Sequence, residues 1–471
     1  MAEVPDELDS ASSKLSRGDL LKRGGAAAFA VSMFGGLSDK ALGFYGPLKF
    51  ANKQLAGDLR IMTWAHFVPS YDQWLDNTYI KQWGEANDVE VKVDHINNAL
   101  LNSTGAAEVA AQSGHDLFWF ISPPAAFQKQ AIPVTDLVQE VTKKLGPLSR
   151  VARKATYNPR TKQFYGFPET YAPDPVQYRK SFFEQTGVSL NTWDDVRKGA
   201  PKLKAIGHPV GLGMSNEIDS NMLLTSLLYC YGGFIQNEAN RIVIGQGANR
   251  KGAIEALKTM RDIYKNGMSD EVFAWTAASN NQAFLAGRLS MALNAISIER
   301  SAEQSGNQAL SDDSWLASIP RGPHMRLGNE HVMGVYLIWK FAKNKEAAQK
   351  YVVDQQLGFR EFFLRSLYYN FPPWTGAIKG GFKTIRKLSA QDPHKPKGKY
   401  TILTTIAEKY TTNPGHPGNS TPVMDELYNT FLIPQMFAQV AQGKATPEEA
   451  VSAFAKKAQS IYRKWRNQGL V

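Results

Sequence analysis

The sequence predicts an α/β protein with more than one domain. The chain has 471 residues, of which 43% are hydrophobic, and this exceeds what a single hydrophobic core requires. From residue 58 to residue 120, patterns typical of strands alternate with patterns typical of helices. A further transition from helix to strand falls within residues 284–298. This alternation favours mainly parallel sheets flanked by helices.

The first part of the chain shows the alternation most clearly. Three strands are predicted, at residues 58–64, 89–95 and 115–120. The second of these alternates apolar and polar residues, which is the period of a half-buried strand. Two helices separate the strands: one places Trp74, Ile80 and Trp83 at helical spacing and stops at Gly84, and the other covers residues 105–112. The segment therefore has the order expected of parallel strands connected by helices.

Residues 284–298 give the strongest local signal for a ligand site. A helical pattern ends at Gly287, a residue suited to the left-handed cap of a helix. An apolar strand is predicted at residues 289–293, and Asn294 follows at its carboxyl end. Ligands of open α/β sheets bind at that edge, so Asn294 is predicted to contact a ligand.

Charge and cysteine content limit the possible partners and sites. The formal net charge is +11, which raises the possibility of an anionic partner. Lysine and arginine are spread along the chain without a run of five, so we expect a basic soluble surface and no nucleic-acid partner. The single cysteine, Cys230, excludes an internal disulfide and a zinc site built on cysteines, and it is predicted to be buried.

The first 43 residues resemble an export signal. A basic segment precedes the small apolar residues 24–37, a run of about 14 residues that is shorter than the roughly 20 needed to span a membrane. Residues 16–22 resemble a twin-arginine motif, but Gly18 stands where the second arginine belongs, so the export route stays open. No cysteine lies near the predicted cleavage site after Gly43. We therefore expect a soluble periplasmic or extracellular protein without a lipid anchor.

The sequence shows no catalytic motif. Its eight histidines form neither H-x-x-x-H nor H-E-x-x-H, and neither a G-x-S-x-G elbow nor a phosphate-binding loop is present. We expect no metal, no cofactor and no catalytic residue. An enzyme remains an alternative, because carboxylates such as Asp174, Glu217 and Asp219 could form the acid pair of a glycosidase.

Aromatic and amide side chains suggest a carbohydrate-binding cleft. Sugars present flat faces that stack on rings and hydroxyl groups that need planar polar partners. Residues of these types stand at predicted strand ends and in loops. Among them, Trp374 follows two prolines that hold its ring rigidly. The predicted ligand-binding residues are Trp64, His66, Asn97, Trp119, Tyr171, Trp275, Asn294 and Trp374.

Several motifs in order resemble family 1 extracellular solute-binding proteins, the capture subunits of ABC importers. The segment that begins at Phe284 fits the pattern F-x-x-G-(basic)-x-x-M. Upstream, Tyr165-Gly166-Phe167-Pro168 is followed by Tyr178-Arg179-Lys180, and then by Gly187 and Thr192-Trp193-Asp194-Asp195. In the last motif, Thr192 can cap a helix while Asp195 closes the capping box. The resemblance covers residues 58–465.

The resemblance implies a two-lobed periplasmic-binding-protein-like fold of type II. Each lobe would hold a mainly parallel sheet flanked by helices, with the ligand cleft between the lobes. The first lobe would comprise residues 58–170 and 322–368, and the second residues 171–321 and 369–465.

The resemblance also implies a monomer that captures a carbohydrate by hinge closure and delivers it to the permease subunits of an ABC importer. An acidic or phosphorylated ligand, such as a glycerol phosphate or a uronate, stays open. So do a secreted carbohydrate-active enzyme and a surface adhesin.

Overall fold

Two separate hydrophobic cores organise the chain in the computed structural model. The structure describes residue 50 and residues 53–471, so the predicted export signal at residues 1–43 lies outside the described residues. Each core covers one sheet and the helices packed on it. Strands and helices are numbered below in chain order.

The strands of the described residues are short, and most belong to two sheets. They are β1 Asp58–Trp64, β2 Glu90–Ile96, β3 Leu117–Phe120, β4 Tyr157–Asn158, β5 Gln163–Phe164, β6 Phe167–Ala172, β7 Val176–Arg179, β8 Val210–Gly211, β9 Met291–Leu293, β10 Ser314–Ala317, β11 Gly328–Asn329, β12 Val332–Ile338 and β13 Thr411–Thr412.

Helices fill most of the remaining chain. They are α1 Pro69–Trp74, α2 Ile80–Asn87, α3 Leu101–Ala111, α4 Thr135–Leu145, α5 Arg150–Thr156, α6 Lys180–Thr186, α7 Trp193–Ala205, α8 Ile218–Tyr231, α9 Gly247–Gly267, α10 Ser279–Leu285, α11 Ser297–Gln304, α12 Gln308–Asp313, α13 Lys345–Leu357, α14 Phe359–Arg365, α15 Gly381–Ala390, α16 Thr401–Thr405, α17 Pro422–Asn429, α18 Leu432–Ala441 and α19 Pro447–Asn467. None of the helices described has the length and apolar character needed to cross a membrane.

The sheet of the first lobe has the strand order β2-β1-β3-β12-β6. Strand β1 runs parallel to both β2 and β3, whereas β12 is antiparallel to β3 and β6. Because β1, β2 and β3 point the same way, their carboxyl ends meet at one edge of the sheet. That edge faces the second lobe and carries Trp64 and the end of β3.

The sheet of the second lobe has the order β10-β7-β9-β8. Strand β9 runs parallel to β8, and β7 is antiparallel to both β9 and β10. Asn294 follows β9 directly, as the sequence predicts. The two sheets and their helices confirm the prediction of an α/β protein with two lobes.

The bounds of the lobes differ from the prediction at the third crossing. Residues 369–407 were expected in the second lobe, but Trp374, Ile385, Tyr400 and Leu403 pack in the first core. Along α15, the buried Ile385 and Ser389 alternate with exposed residues, so the buried face of the helix determines the lobe. The chain returns to the second core only after β13, where Val423 begins the next buried segment.

Local signals have mixed outcomes. Thr192 forms a complete capping box, as predicted, and Thr446 forms another. The stop predicted at Gly84 is wrong, because α2 continues to Asn87 and ends at the left-handed Asp88. Gly84 serves close packing instead, since a Cβ there would lie 2.7 Å from the carbonyl oxygen of Val89.

Candidate functional site

Aromatic side chains meet at the carboxyl-terminal edge of the first sheet. Trp64 ends β1 and stacks on Trp119 of β3, with ring centroids 5.2 Å apart and planes 9° from parallel. His66 meets Trp64 edge-on at 5.0 Å, and its Nδ1 accepts a hydrogen bond from the backbone N–H of Val68 at 2.9 Å. Burial lowers the pKa of His66 to about 3. The imidazole is therefore neutral, and Nε2 carries its proton.

A buried carboxylate holds Trp119 in place. The indole Nε1 of Trp119 donates to Oε2 of Glu169 at 3.2 Å, and Gln355 donates to Oε1 at 2.9 Å. Burial raises the pKa of Glu169 to about 7. Gly334 makes room for this contact, since a Cβ there would come within 2.8 Å of the indole nitrogen. Trp119 thus supports Trp64 from behind, with its polar edge already engaged.

An amide chain extends from the second sheet. Asn294 donates to Oδ1 of Asn281 at 2.6 Å and to Oδ1 of Asn280 at 3.1 Å. Asn280 in turn donates to Oδ2 of Asp219 at 2.9 Å. The amide at the end of β9 is therefore connected to an acid in the first turn of α8.

Two buried aspartates flank one imidazole where the lobes meet, and a third buried carboxyl group caps the helix that carries one of them. Nδ1 of His331 lies 3.1 Å from Asp174, and Nε2 lies 3.5 Å from Oδ1 of Asp219. Glu217 caps α8 and accepts a hydrogen bond from the backbone N–H of Asp219 at 2.7 Å. Burial disfavours the imidazolium, but the charges of Asp219 and Asp174 outweigh it and raise the pKa of His331 to about 9. The protonated ring therefore holds the two aspartates together at neutral pH.

Tyr369 joins the aromatic group to the acidic group. Its ring lies 4.8 Å from the ring of His66 and 6.2 Å from that of Trp64. Burial raises the pKa of Tyr369, and the nearby carboxylates of Asp219 and Asp174 raise it further. We call this assembly the interlobe site, and define it as Trp64, His66, Asp174, Asp219, Asn280, Asn294, His331 and Tyr369. It offers ring faces beside hydrogen-bond acceptors and donors from both lobes.

The backbone before Tyr369 is held in an unusual conformation. Leu367 and Tyr368 both have left-handed backbones, with φ of 53° and 68°. Such residues persist only where surrounding contacts enforce them. Arg300 supplies one of these contacts, because its Nε and Nη2 donate to the carbonyl oxygen of Leu367 at 3.0 and 2.8 Å. The position of Tyr369 therefore depends on Arg300.

Two residues predicted to bind ligand lie outside the interlobe site. Trp374 is fully buried in the first lobe, where its indole nitrogen donates to Thr142 at 3.0 Å and its ring packs on Phe167. The two prolines do hold the ring rigidly, but they direct it into the core. Asn97 is exposed, and its side chain caps the following turn by accepting from the backbone N–H of Ala99. These placements correct the expectation for both residues.

Two other predicted ligand-binding residues, Tyr171 and Trp275, lie beside the interlobe site. None of the contacts described above joins them to its members. Tyr171 is 1% exposed, and its ring and backbone both pair with Phe371 across the crossing between the lobes. Trp275 packs against Gly211 in the second core and borders a separate cavity of about 360 Å³. Their assignment to ligand binding stays a prediction.

Sequence reasoning left His331 and Tyr369 out of the predicted site. His331 directly precedes β12, and Tyr369 follows the two left-handed residues, so neither stands in a pattern that marks a strand end. Asp174 and Asp219 had been considered only as an acid pair for catalysis. The structure brings both aspartates to the same imidazole instead.

A separate group could hold a metal ion by its residue types. Within the described part of the chain, one cluster of this kind occurs, formed by Glu303, Asp392 and His394. Arg300 already pairs with both acids, at 2.7 Å to Glu303 and 2.9 Å to Asp392, and Lys399 lies 3.0 Å from Glu303. These fixed cations occupy the positions that a metal would take, so the cluster is an ion-pair network.

The interlobe site predicts how stability depends on pH. The folded protein keeps the proton of His331 up to about pH 9, whereas the unfolded chain releases it near 6.5. This contribution is complete below pH 6.5 and is lost as the pH rises to 9. Burial raises the pKa of Glu217 to about 8, which acts in the same direction. We expect His331 by itself to lower the free energy of unfolding by about 3 kcal/mol between pH 6 and pH 9, and Glu217 to add to this loss.

Chemical denaturation at several pH values measures this dependence. His331→Gln should flatten the profile, while His208→Gln, which alters a half-buried ring bonded to the carbonyl of Gly287, should leave the slope unchanged. An identical slope in His331→Gln and the parent protein would show that His331 does not hold its proton above pH 7.

A family of known proteins matches the chain. The model of the family described as bacterial extracellular solute-binding protein matches residues 78–353, which is more than half of the sequence. No curated protein sequence matches the chain.

Many solved structures share the fold. Maltose-bound MalE3 of T. maritima is 17% identical with a TM-score of 0.70, and the match covers 86% of this chain and 100% of that one. A sugar transporter of Arthrobacter chlorophenolicus A6 with bound laminaribiose is 19% identical with a TM-score of 0.68, covering 86% and 99%. The ABC substrate-binding protein Lmo0181 of Listeria monocytogenes, in complex with cycloalternan, is 17% identical with a TM-score of 0.67, covering 86% and 99%. The predicted two-lobed periplasmic-binding-protein-like fold is confirmed.

Proposed function

The chain belongs to the bacterial extracellular solute-binding proteins, and we propose that it captures a carbohydrate between its two lobes for an ABC importer. The proposed partners are the membrane permease subunits of that importer, and the proposed location is outside the cytoplasm. The protein acts as a monomer that binds and releases its cargo without making or breaking a covalent bond.

The observation that carries this proposal is the bridge formed by Tyr369. Its ring lies 4.8 Å from that of His66 and 6.2 Å from that of Trp64, and the carboxylates of Asp219 and Asp174 are near enough for their charges to raise the pKa of its hydroxyl group. Flat ring faces and hydrogen-bonding groups in one place are what a sugar needs. A ring such as Trp64, when fully covered by a sugar face, contributes on the order of 4 kcal/mol to binding.

The ligands of the similar structures support the same class. The solved proteins named above carry maltose, laminaribiose and cycloalternan, all of which are saccharides. Their identity to this chain is below 20%, so the ligand is transferred here as a proposal and the fold as a finding. The rings of the interlobe site give the proposal its support within this chain.

We interpret the described arrangement as the closed form. Several hydrogen bonds join the lobes. Among them, Asn102 donates to Asn429 at 2.5 Å, and the backbone N–H of Ala126 donates to Asp425 at 2.7 Å. All members of the interlobe site are almost fully buried. A ligand held by both lobes would shift the balance from an open form toward this one.

Calorimetry and small-angle X-ray scattering test the function together. We expect titration with a panel of mono- and disaccharides to show binding, and scattering at saturation to show a smaller radius of gyration than in the free protein. The change should follow the binding curve, because closure and ligand contact are coupled. A scattering profile that stays the same while calorimetry shows saturation would contradict hinge closure.

The glycosidase alternative is tested on the same samples. Asp174 and Asp219 both pair with His331, so they are not two free carboxyl groups that could act as the general acid and base of a glycosidase. We therefore expect the bound sugar to be recovered unchanged after long incubation, as judged by chromatography. Release of a hydrolysis product that depends on the protein would overturn the transport proposal.

A further inference from the structure

The interlobe site has more buried acids than positive groups. Asp174, Glu217 and Asp219 are each at most 9% exposed, and His331 pairs with the two aspartates. Glu217 accepts hydrogen bonds from the backbone N–H groups of Asp219 and Ser220, and it keeps its proton at neutral pH because burial raises its pKa to about 8. One imidazolium cannot neutralise both aspartates. The charges within the site are therefore unbalanced in favour of the negative sign.

Two buried polar atoms of the site have no hydrogen-bond partner. Oδ1 of Asp219 accepts no hydrogen bond and has only the ion-pair contact with Nε2 of His331 at 3.5 Å, whereas Oδ2 accepts from Asn280. The hydroxyl of Tyr369 has no hydrogen-bond partner. The two side chains are 6% and 1% exposed. Buried polar groups in proteins are almost always hydrogen-bonded, because an unmet bond costs free energy. Both atoms are therefore placed to receive or give a hydrogen bond when a ligand enters.

The rings beside these atoms favour a positive ligand. Trp64 and Tyr369 present π faces, which attract cations. His66 adds no opposing charge, because its Nδ1 accepts a hydrogen bond and the ring is neutral. A desolvated ammonium beside rings and a carboxylate is stabilised by both kinds of contact.

Glu217 caps the N-terminus of α8, and Asp219 does not share this capping role. The carboxyl group of Glu217 caps α8, where it accepts hydrogen bonds from the backbone N–H groups of Asp219 and Ser220. Asp219 lies in the first turn of that helix, but its side chain points toward His331 and Asn280. A capping function therefore accounts for Glu217, whereas Oδ1 of Asp219 keeps its capacity to accept a hydrogen bond from a ligand.

We propose that the ligand of the interlobe site is a carbohydrate that carries a protonated amino group, bound by the carboxylate of Asp219. The inference rests on the proposed function and specifies the class of its cargo. An acidic or phosphorylated sugar would instead meet the carboxylates of Asp174 and Asp219, which repel its charge.

Matched sugar pairs test the inference by isothermal titration calorimetry at pH 7. The pairs are glucose with glucosamine, galactose with galactosamine, and cellobiose with the unacetylated glucosamine disaccharide. N-acetylated forms control for size, because they retain the nitrogen without its charge. We expect the amino form to bind at least 10-fold more tightly than its neutral partner in at least one pair, and the acetylated form to lose that advantage.

Two variants locate the effect. Asp219→Asn keeps the shape of the side chain and should abolish the preference for the amino form. Tyr369→Phe should lower the affinity for the amino sugar by a smaller factor than Asp219→Asn does. Asp262→Asn, which removes a partly exposed acid on α9, is the matched control and should leave both affinities unchanged. Thermal melting verifies that each variant is folded.

The outcomes separate this inference from the proposed function. If the neutral sugars bind equally or more tightly, the inference that the ligand carries an amino group is overturned, and the proposal of carbohydrate capture is retained. If 1,4-diaminobutane binds and no sugar does, the proposal that the ligand is a carbohydrate is overturned, and the inference of an amino sugar is overturned with it. Binding of none of these compounds would overturn both. A preference that survives in Asp219→Asn would overturn the assignment to Asp219.

Discussion

Replacing Trp374 with alanine is expected to lower the free energy of unfolding by about 3–5 kcal/mol. The ring is fully buried, its centroid lies 5.6 Å from that of Phe167, and its indole nitrogen donates to Thr142 at 3.0 Å. Its backbone also pairs with Leu148, which limits how far the chain can collapse into the space left behind. Removal therefore costs the transfer of the ring, a cavity and one hydrogen bond. Equilibrium denaturation measures the loss.

Trp315→Ala is the matched control for this prediction. Trp315 lies on β10 with its ring half-buried beneath the ammonium group of Lys180, so the same truncation should cost far less stability. Sugar affinity should be unchanged in Trp374→Ala at temperatures where the variant is folded. A loss of affinity of more than 10-fold with little loss of stability would return Trp374 to the ligand site.

Strand ends were the part of the site that the sequence could predict. Trp64 and Asn294 each follow a run of residues whose apolar pattern marks a strand, and the carboxyl end of a strand has a known place in an α/β fold. Trp374 stands in a loop, where two prolines restrict the backbone but do not determine which way the ring points. For such a residue, the local sequence indicates rigidity and leaves the environment undetermined.

The residues that complete the site come from segments distant in the chain. Asp174, His331 and Tyr369 lie at or near the points where the chain passes between the cores, and no helical or strand period marks those positions. The third crossing was misplaced for a related reason. Residues 369–407 contain apolar residues that could serve either core, and only the packed structure shows that they cover the first.

Replacing Arg300 with methionine is expected to have the second large effect, lowering the free energy of unfolding by about 3–5 kcal/mol. The guanidinium is 1% exposed, pairs with Glu303 and Asp392, and lies 3.7 Å from the ring centroid of Tyr400. Methionine fills a similar volume but leaves the two acids with less positive charge around them. Breaking a buried pair from one side leaves an uncompensated charge, which is the costly case.

The same variant should weaken sugar binding by at least 10-fold, a loss of about 1.4 kcal/mol. Arg300 donates two hydrogen bonds to the carbonyl oxygen of Leu367, two residues before Tyr369. Without its guanidinium group, the left-handed backbone at Leu367 and Tyr368 loses this support. Arg300→Lys separates the two roles, because lysine keeps the charge but cannot reproduce the planar fork. It should recover part of the stability while the affinity stays low. Arg386→Met, at an exposed arginine on α15, should change neither quantity.

Acid titration distinguishes loss of the ion pair from loss of packing in Arg300→Met. Burial alone would raise the pKa of Asp392, but the charge of Arg300 outweighs burial and holds that pKa well below its usual range. The stability gained from Asp392 is therefore present above pH 4 and is lost as the pH falls. In Arg300→Met the carboxyl group should protonate at a higher pH, so the penalty relative to the parent protein should shrink between pH 7 and pH 4. A penalty that stays constant over this range would assign the effect of Arg300 to packing and not to its charge.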